Sequence, residues 1–66
     1  MIVTVNGDNR EIPEGTSVRG LLELLNLASA AAAVEINRSL VRKADHTSTI
    51  LKPGDTIEIV TLVGGG

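Results

Sequence analysis

Val18, Leu21, Leu22 and Leu25 stand at i, i+3, i+4 and i+7, and this spacing limits the possible folds more than any other feature of the chain. Residues so spaced share one face of an α-helix. The spacing predicts a helix of roughly ten residues from Val18. Thr16 or Ser17 is placed to accept hydrogen bonds from the free amides of the first turn, and Asn26 is a plausible stop. Leu24 and Leu27 are expected to widen the apolar face. One helix cannot bury a leucine face on itself, so the remaining chain must supply an apolar layer to cover it.

That layer reads as β-sheet. Met1-Ile2-Val3-Thr4-Val5 alternates, with Met1, Val3 and Val5 on one face and Ile2 and Thr4 on the other. Asn6-Gly7 is a hairpin signal, because both residues tolerate positive φ. A polar return strand, about Asn9 to Ile12, ends at Pro13, which cannot donate to a ladder. After the helix, the run Ala28 to Ala33 has neither a polar face nor a cap and reads as a connection. It leads into a strand over residues 33–37, with Val34 and Ile36 inward and Glu35 and Asn37 outward. Asn37-Arg38-Ser39 is a turn, Leu40-Val41-Arg42 a short strand, and Lys43 to Ser48 a polar segment with room for one helical turn. Thr49-Ile50-Leu51 returns to apolar character. Lys52-Pro53-Gly54-Asp55 then has turn chemistry, with proline presetting φ and glycine free to take the left-handed region. A last strand, Thr56 to Leu62, follows. A hairpin, a helix across the sheet and a last strand beside the first give an α+β fold of β-grasp type. Its mixed sheet of four to five strands packs on one main helix.

Composition narrows what such a domain can do. With 66 residues it is one small domain with a slim margin of stability. It has no cysteine and no aromatic residue, so disulfides, thiolate metal sites, a sulfur-bearing thiol and base stacking are all excluded. Six Lys and Arg against eight Asp and Glu give a net charge of −2 with no basic stripe, which argues against nucleic acid. The apolar run near Ala30–Val34 is far too short for a membrane span. No signal peptide is expected, since the first residues already read as strand, and a cytoplasmic location is the expectation.

The chain finishes Val63-Gly64-Gly65-Gly66. A glycine run loses much freedom on ordering and does not stabilise a fold. It does make a thin peptide ending in a carboxylate. From Thr61 to Gly66 it can span roughly 20 Å when extended, enough to enter another protein's active site through a narrow channel. Residues 1–62 are therefore expected to form the folded domain, and 63–66 a flexible tail. His46, the only histidine, lies in a polar stretch and is expected at the surface without a catalytic or ligand role. Asp45 beside it has no accompanying nucleophile, and Arg42-Lys43 reads as solvated surface. No catalytic residue and no metal site is expected. If Met1, Val3, Val5, Ile57 and Ile59 face the helix, then Ile2, Thr4, Glu58, Val60 and Leu62 face outward, with Ala33 and Glu35 extending that face. Ile2, Val60 and Leu62 are expected to form an exposed apolar patch. Ile2, Glu58, Val60, Leu62 and Val63 are the candidate partner-binding residues.

Several segments now line up with one family. They are Asn6-Gly7, Pro13-Glu14-Gly15-Thr16-Ser17-Val18 ahead of Leu21-Leu22, Val34-Glu35-Ile36-Asn37 and Leu51-Lys52-Pro53-Gly54-Asp55. Ile57-Glu58-Ile59-Val60, ending in Val63-Gly64-Gly65-Gly66, completes the set. In these residues the chain resembles the ThiS-type sulfur carriers of thiamine biosynthesis, within the ubiquitin-like β-grasp superfamily. The resemblance runs over essentially the whole chain without insertion. It departs in the absence of aromatic residues and in the bland Ala28–Ala33 connection, both matters of packing.

The resemblance implies a carrier protein, not an enzyme. It implies that the Gly66 carboxylate, beyond Gly64 and Gly65, is adenylated and then converted to a thiocarboxylate that donates sulfur to the thiazole ring of thiamine. The implied partners are a ThiF-type adenylating enzyme, a ThiG-type thiazole synthase and a sulfur donor such as a cysteine desulfurase. ATP and magnesium belong to the adenylating partner, and the carrier has no cofactor of its own. The nearest alternatives are the small subunit of molybdopterin synthase and a ubiquitin-like protein modifier. A β-grasp binding module with no chemistry at its end is a further one, but it leaves the glycines unexplained.

Overall fold

A computed structural model describes residues 1–61. Strand β1 (Ile2–Val5) pairs antiparallel with β2 (Asp8–Glu11) across a two-residue loop. Asn6 and Gly7 sit there at φ 49° and 87°, the left-handed pair whose twist suits a tight hairpin. The helix α1 (Val18–Leu24) follows. The antiparallel hairpin β3 (Ala32–Ile36) and β4 (Ser39–Val41) comes next, turning at Asn37 and Arg38, both at positive φ. A single 3₁₀ turn covers Lys43–Asp45, and β5 (Thr56–Thr61) closes the order. The sheet runs β2-β1-β5-β3-β4, with β5 parallel to β1 and antiparallel to β3. This is the expected β-grasp arrangement, with five strands.

The turn at Lys52–Asp55 brings β5 into place. The Lys52 amide donates to the Asp55 carboxylate at 2.8 Å, and the Gly54 amide donates to the Ile2 carbonyl at 2.9 Å. The last strand thereby starts beside the first. Asn37 then ties the second hairpin to it, its Oδ1 accepting from the Thr56 amide at 3.0 Å.

The helix starts as expected and stops earlier. Ser17 is the cap, its Oγ accepting from the Gly20 amide at 3.0 Å, an interaction worth about 1 kcal/mol at such positions. Seven residues are helical instead of about ten, because Leu25 caps the end and Asn26 turns to φ 60°. Leu24 does not widen the buried face and is exposed. At 100° per residue it points roughly 110° away from the centre of the Val18–Leu21–Leu22–Leu25 stripe. Leu27 does pack against the core. The core comprises Val3, Val5, Ile12, Val18, Leu21, Leu22, Val34, Leu51, Ile57 and Ile59. Aliphatic residues of the helix meet the inner face of the sheet.

The other strand limits shift by a residue or so. The second strand ends at Glu11, although Ile12 beyond it is buried. The third starts at Ala32, and the fourth covers Ser39–Val41. Thr49-Ile50-Leu51 forms no strand of its own, but Ile50 makes an isolated bridge to Ser17 and Leu51 enters the core. Leu62, expected at the end of the last strand, and the tail at residues 63–66 lie outside the described residues.

His46 is the clearest departure from expectation, since it is buried with 7% of its surface exposed. Its Nε2 lies 3.2 Å from the Val41 carbonyl, and its own carbonyl accepts from the Arg19 amide at 2.9 Å. The 3₁₀ turn rolls the ring beneath the start of the helix, where a polar neighbourhood in sequence does not lead to solvent. It joins helix, turn and sheet. Asp45 meanwhile pairs with Arg42 at 3.6 Å, so the adjacent Asp45 and His46 form no acid–base couple. Among the described residues, no helix is long and apolar enough to cross a membrane.

Candidate functional site

Alternation along β5 sorts its side chains as expected. Ile57 and Ile59 are buried, whereas Glu58 and Val60 are exposed on the opposite face. The antiparallel register sets Val60 opposite Ala33 and Glu58 opposite Glu35, and Glu35 in turn lies opposite Leu40 on β4. Residues directly opposite in a ladder share a face. Val60, Ala33 and Leu40 therefore lie around two facing carboxylates, Glu35 and Glu58. Like charges directly opposite one another are destabilising. Among the described residues, neither carboxylate has a salt bridge. Such a surface suits a partner that brings a cation between the two carboxylates and apolar side chains around them.

Of the expected patch of Ile2, Val60 and Leu62, the two described members, Ile2 and Val60, stand apart. Ile2 is exposed and on the same outer face. However, the parallel register pairs Thr4 with Thr56, which sets Ile2 level with Gly54, six positions along the sheet from Val60. At about 3.3 Å per residue, roughly 20 Å separates them. Leu40, which took no part in the expected patch, has 66% of its surface exposed and stands nearer Val60. Its position follows from the β3–β4 hairpin register and could not be reached by alternation within one strand. Leu62, Val63, Gly64, Gly65 and Gly66 lie outside the described residues.

A cleft of about 340 Å³ opens beside the start of β3, with Leu22, Ala31 and Val60 on its walls and Arg19, Lys43 and His46 also lining it. The ring of His46 already has the Val41 carbonyl as partner, and the lining residues include no nucleophile paired with a base. Among the described residues, no group of His, Asp and Glu could hold a metal ion. Among the described residues, the outer face at Glu58 and Val60 combines exposed apolar side chains with two facing carboxylates.

Sequence reading missed the side-chain work of Asn6. Its carboxamide spans to β5 and bonds both main-chain groups of Ile59: Nδ2 donates to the carbonyl at 3.2 Å, and Oδ1 accepts from the amide at 2.8 Å. The Asn-Gly pair signals the turn, but not that the asparagine also reaches a strand 53 positions away.

Comparison with known proteins covers the chain end to end. The model of the ThiS family matches residues 3–66. The sulfur carrier protein ThiS of Escherichia coli (strain K12) is 30% identical over 66 residues, which is the whole of both chains. The crystal structure of the thiamine biosynthesis protein ThiS from Geobacter metallireducens superposes with a TM-score of 0.84 at 33% identity, again covering both chains completely. A thiazole synthase of Magnetococcus marinus is 35% identical over 66 residues, but there the chain spans only 20% of the longer protein. With a family model matched over residues 3–66 and a sulfur carrier relative covered over its whole length, the chain belongs to the ThiS family.

Proposed function

We propose that this chain is a sulfur carrier of thiamine biosynthesis that carries its sulfur on the carboxyl group of Gly66. A chain-end carboxylate is ionised at neutral pH and is a poor electrophile. Its oxygen attacks the α-phosphorus of ATP, and pyrophosphate leaves. The acyl adenylate so formed has a reactive carbonyl carbon. A persulfide sulfur attacks that carbon, AMP leaves, and an acyl disulfide results. A partner thiol then attacks the disulfide on its far sulfur, which releases the thiocarboxylate and leaves a disulfide on the partner side. The terminal sulfur is nucleophilic and passes to a thiazole precursor.

The observation that carries this reading is the family match through the glycines to Gly66. The end-to-end similarity to a sulfur carrier supports it. The catalytic groups belong to partners: a ThiF-type adenylating enzyme, which brings ATP and magnesium, a sulfur donor such as a cysteine desulfurase, and a thiazole synthase. Similarity to a segment of a much longer thiazole synthase supports the last of these, since one polypeptide there includes a region like this chain. The carrier itself performs no catalysis and needs no cofactor.

Docking is assigned to the outer face at Val60 and Glu58, next to the residues that must enter the partner's active site. Val60 has 63% of its surface exposed, so V60D leaves the core intact and is expected to cost only about 1 kcal/mol, through lost strand propensity and the added like charge. It adds a third carboxylate beside Glu58 and Glu35 and removes the apolar contact. The expected outcome is a normally folded protein that is no longer adenylated, measured as pyrophosphate released in the presence of the ThiF-type enzyme and ATP. An unchanged rate with folded V60D removes this face from the interface.

A further inference from the structure

We infer that Asn6 is a positioning residue for transfer at the chain end, acting through its two bonds to Ile59. The inference rests on the reading of Gly66 as the reacting end. On β5, the main-chain groups of residues 57 and 59 point to the same edge, toward β1. The Ile57 carbonyl is taken by the main-chain amide of Asn6 at 2.9 Å. At that point β1 has ended, and the chain turns away through Asn6 and Gly7 at positive φ. Among the described residues, the next position on the edge, Ile59, has no main-chain partner on this side.

The side chain of Asn6 fills it. A carboxamide carries one N–H donor and one carbonyl acceptor in the arrangement of a peptide group. Here both bind the same residue, at 3.2 and 2.8 Å. The side chain thus acts as one more residue of β1, and β5 is held on both edges as far as Ile59. The opposite edge is held by β3, through Ala33 opposite Val60. Among the described residues, Val60 and Thr61 follow Ile59 in β5. The clasp therefore fixes the main chain of β5 up to Ile59, seven positions before Gly66. An enzyme that must receive Gly66 with its carboxylate aligned on ATP benefits from a fixed starting direction, because orientation settled beforehand lowers the entropic part of the barrier.

Two substitutions separate this role from folding. N6G removes the carboxamide while keeping a residue that accepts positive φ, and Gly-Gly is itself a favoured hairpin loop. N6D keeps the acceptor for the Ile59 amide and loses the donor. The assay is adenylation of the full chain by the ThiF-type enzyme with saturating ATP, alongside hydrogen exchange of the Ile59 amide. In N6G, the Ile59 amide is expected to exchange faster and kcat to fall about tenfold. KM for the carrier should stay within about a factor of two of wild type, because the docking face is untouched. N6D is expected to fall between N6G and wild type, and it carries the test if N6G does not fold. A folded N6G with wild-type kcat overturns the inference alone, as does a change confined to KM. Wild-type protein that accepts no AMP overturns it together with the reading of Gly66.

Discussion

A single alanine added after Gly66 is expected to abolish sulfur transfer while leaving the folded body unchanged. The extension moves the carboxylate about 3.5 Å further along the chain. It also puts a methyl group where the sequence has only glycine. A partner channel shaped for bare backbone then meets a side chain, and the carboxylate overshoots the α-phosphorus of ATP. Misplacement of a reacting atom by even 1 Å can cost about a hundredfold in rate, so a shift of a whole residue is expected to cost at least that. The check is thiazole production in cells whose only carrier bears the extension, alongside thermal unfolding of the purified protein. Normal thiazole production by the extended chain would refute the assignment to Gly66.

The second large effect is on stability. Leu21 is 1% exposed and is among the largest fully buried side chains of the core. Removing a buried leucine side chain to alanine costs about 2–5 kcal/mol, through lost transfer energy and the cavity left behind. A chain of 66 residues has a total stability of only about 3–10 kcal/mol at typical values per residue. L21A is therefore expected to remove most of the margin and leave a protein partly or wholly unfolded at 37 °C. Urea unfolding followed by far-UV circular dichroism measures this. L24A serves as the contrast, because Leu24 is 57% exposed, and its unfolding midpoint is expected to stay close to that of wild type. A midpoint for L21A as high as that of L24A would contradict the placement of the core.

The parts of this fold that the sequence makes legible are those set by local periodicity. Val18, Leu21 and Leu22 announce the buried helical face through their spacing, and Ile57, Glu58, Ile59 and Val60 announce the two faces of the last strand through alternation. The Asn-Gly pair and the Pro-Gly pair announce turns. What stayed hidden depends on register and on contacts between distant segments. Alternation places Ile2 and Val60 on one face but does not say how far β1 slides against β5, so their separation became visible only in the pairing of Thr4 with Thr56. Leu40 joins Val60 for the same reason, through pairing of β3 with both neighbours. His46 has polar neighbours and reads as surface. Its burial follows from bonds to Arg19 and Val41, which no local pattern encodes. Asn6 illustrates the same divide, since its backbone role is local and legible while its side-chain role spans almost the whole chain.

Intact mass spectrometry distinguishes a chain that carries sulfur on the carboxyl group of Gly66 from one that does not. The chain is purified from cells that also contain its adenylating enzyme and sulfur donor, then weighed and fragmented. The expected result is a mass gain equal to the exchange of one oxygen for one sulfur, confined to the fragment that contains Gly66. A chain that keeps its unmodified mass under those conditions, or one recovered in amide linkage to lysines of other proteins, would contradict it.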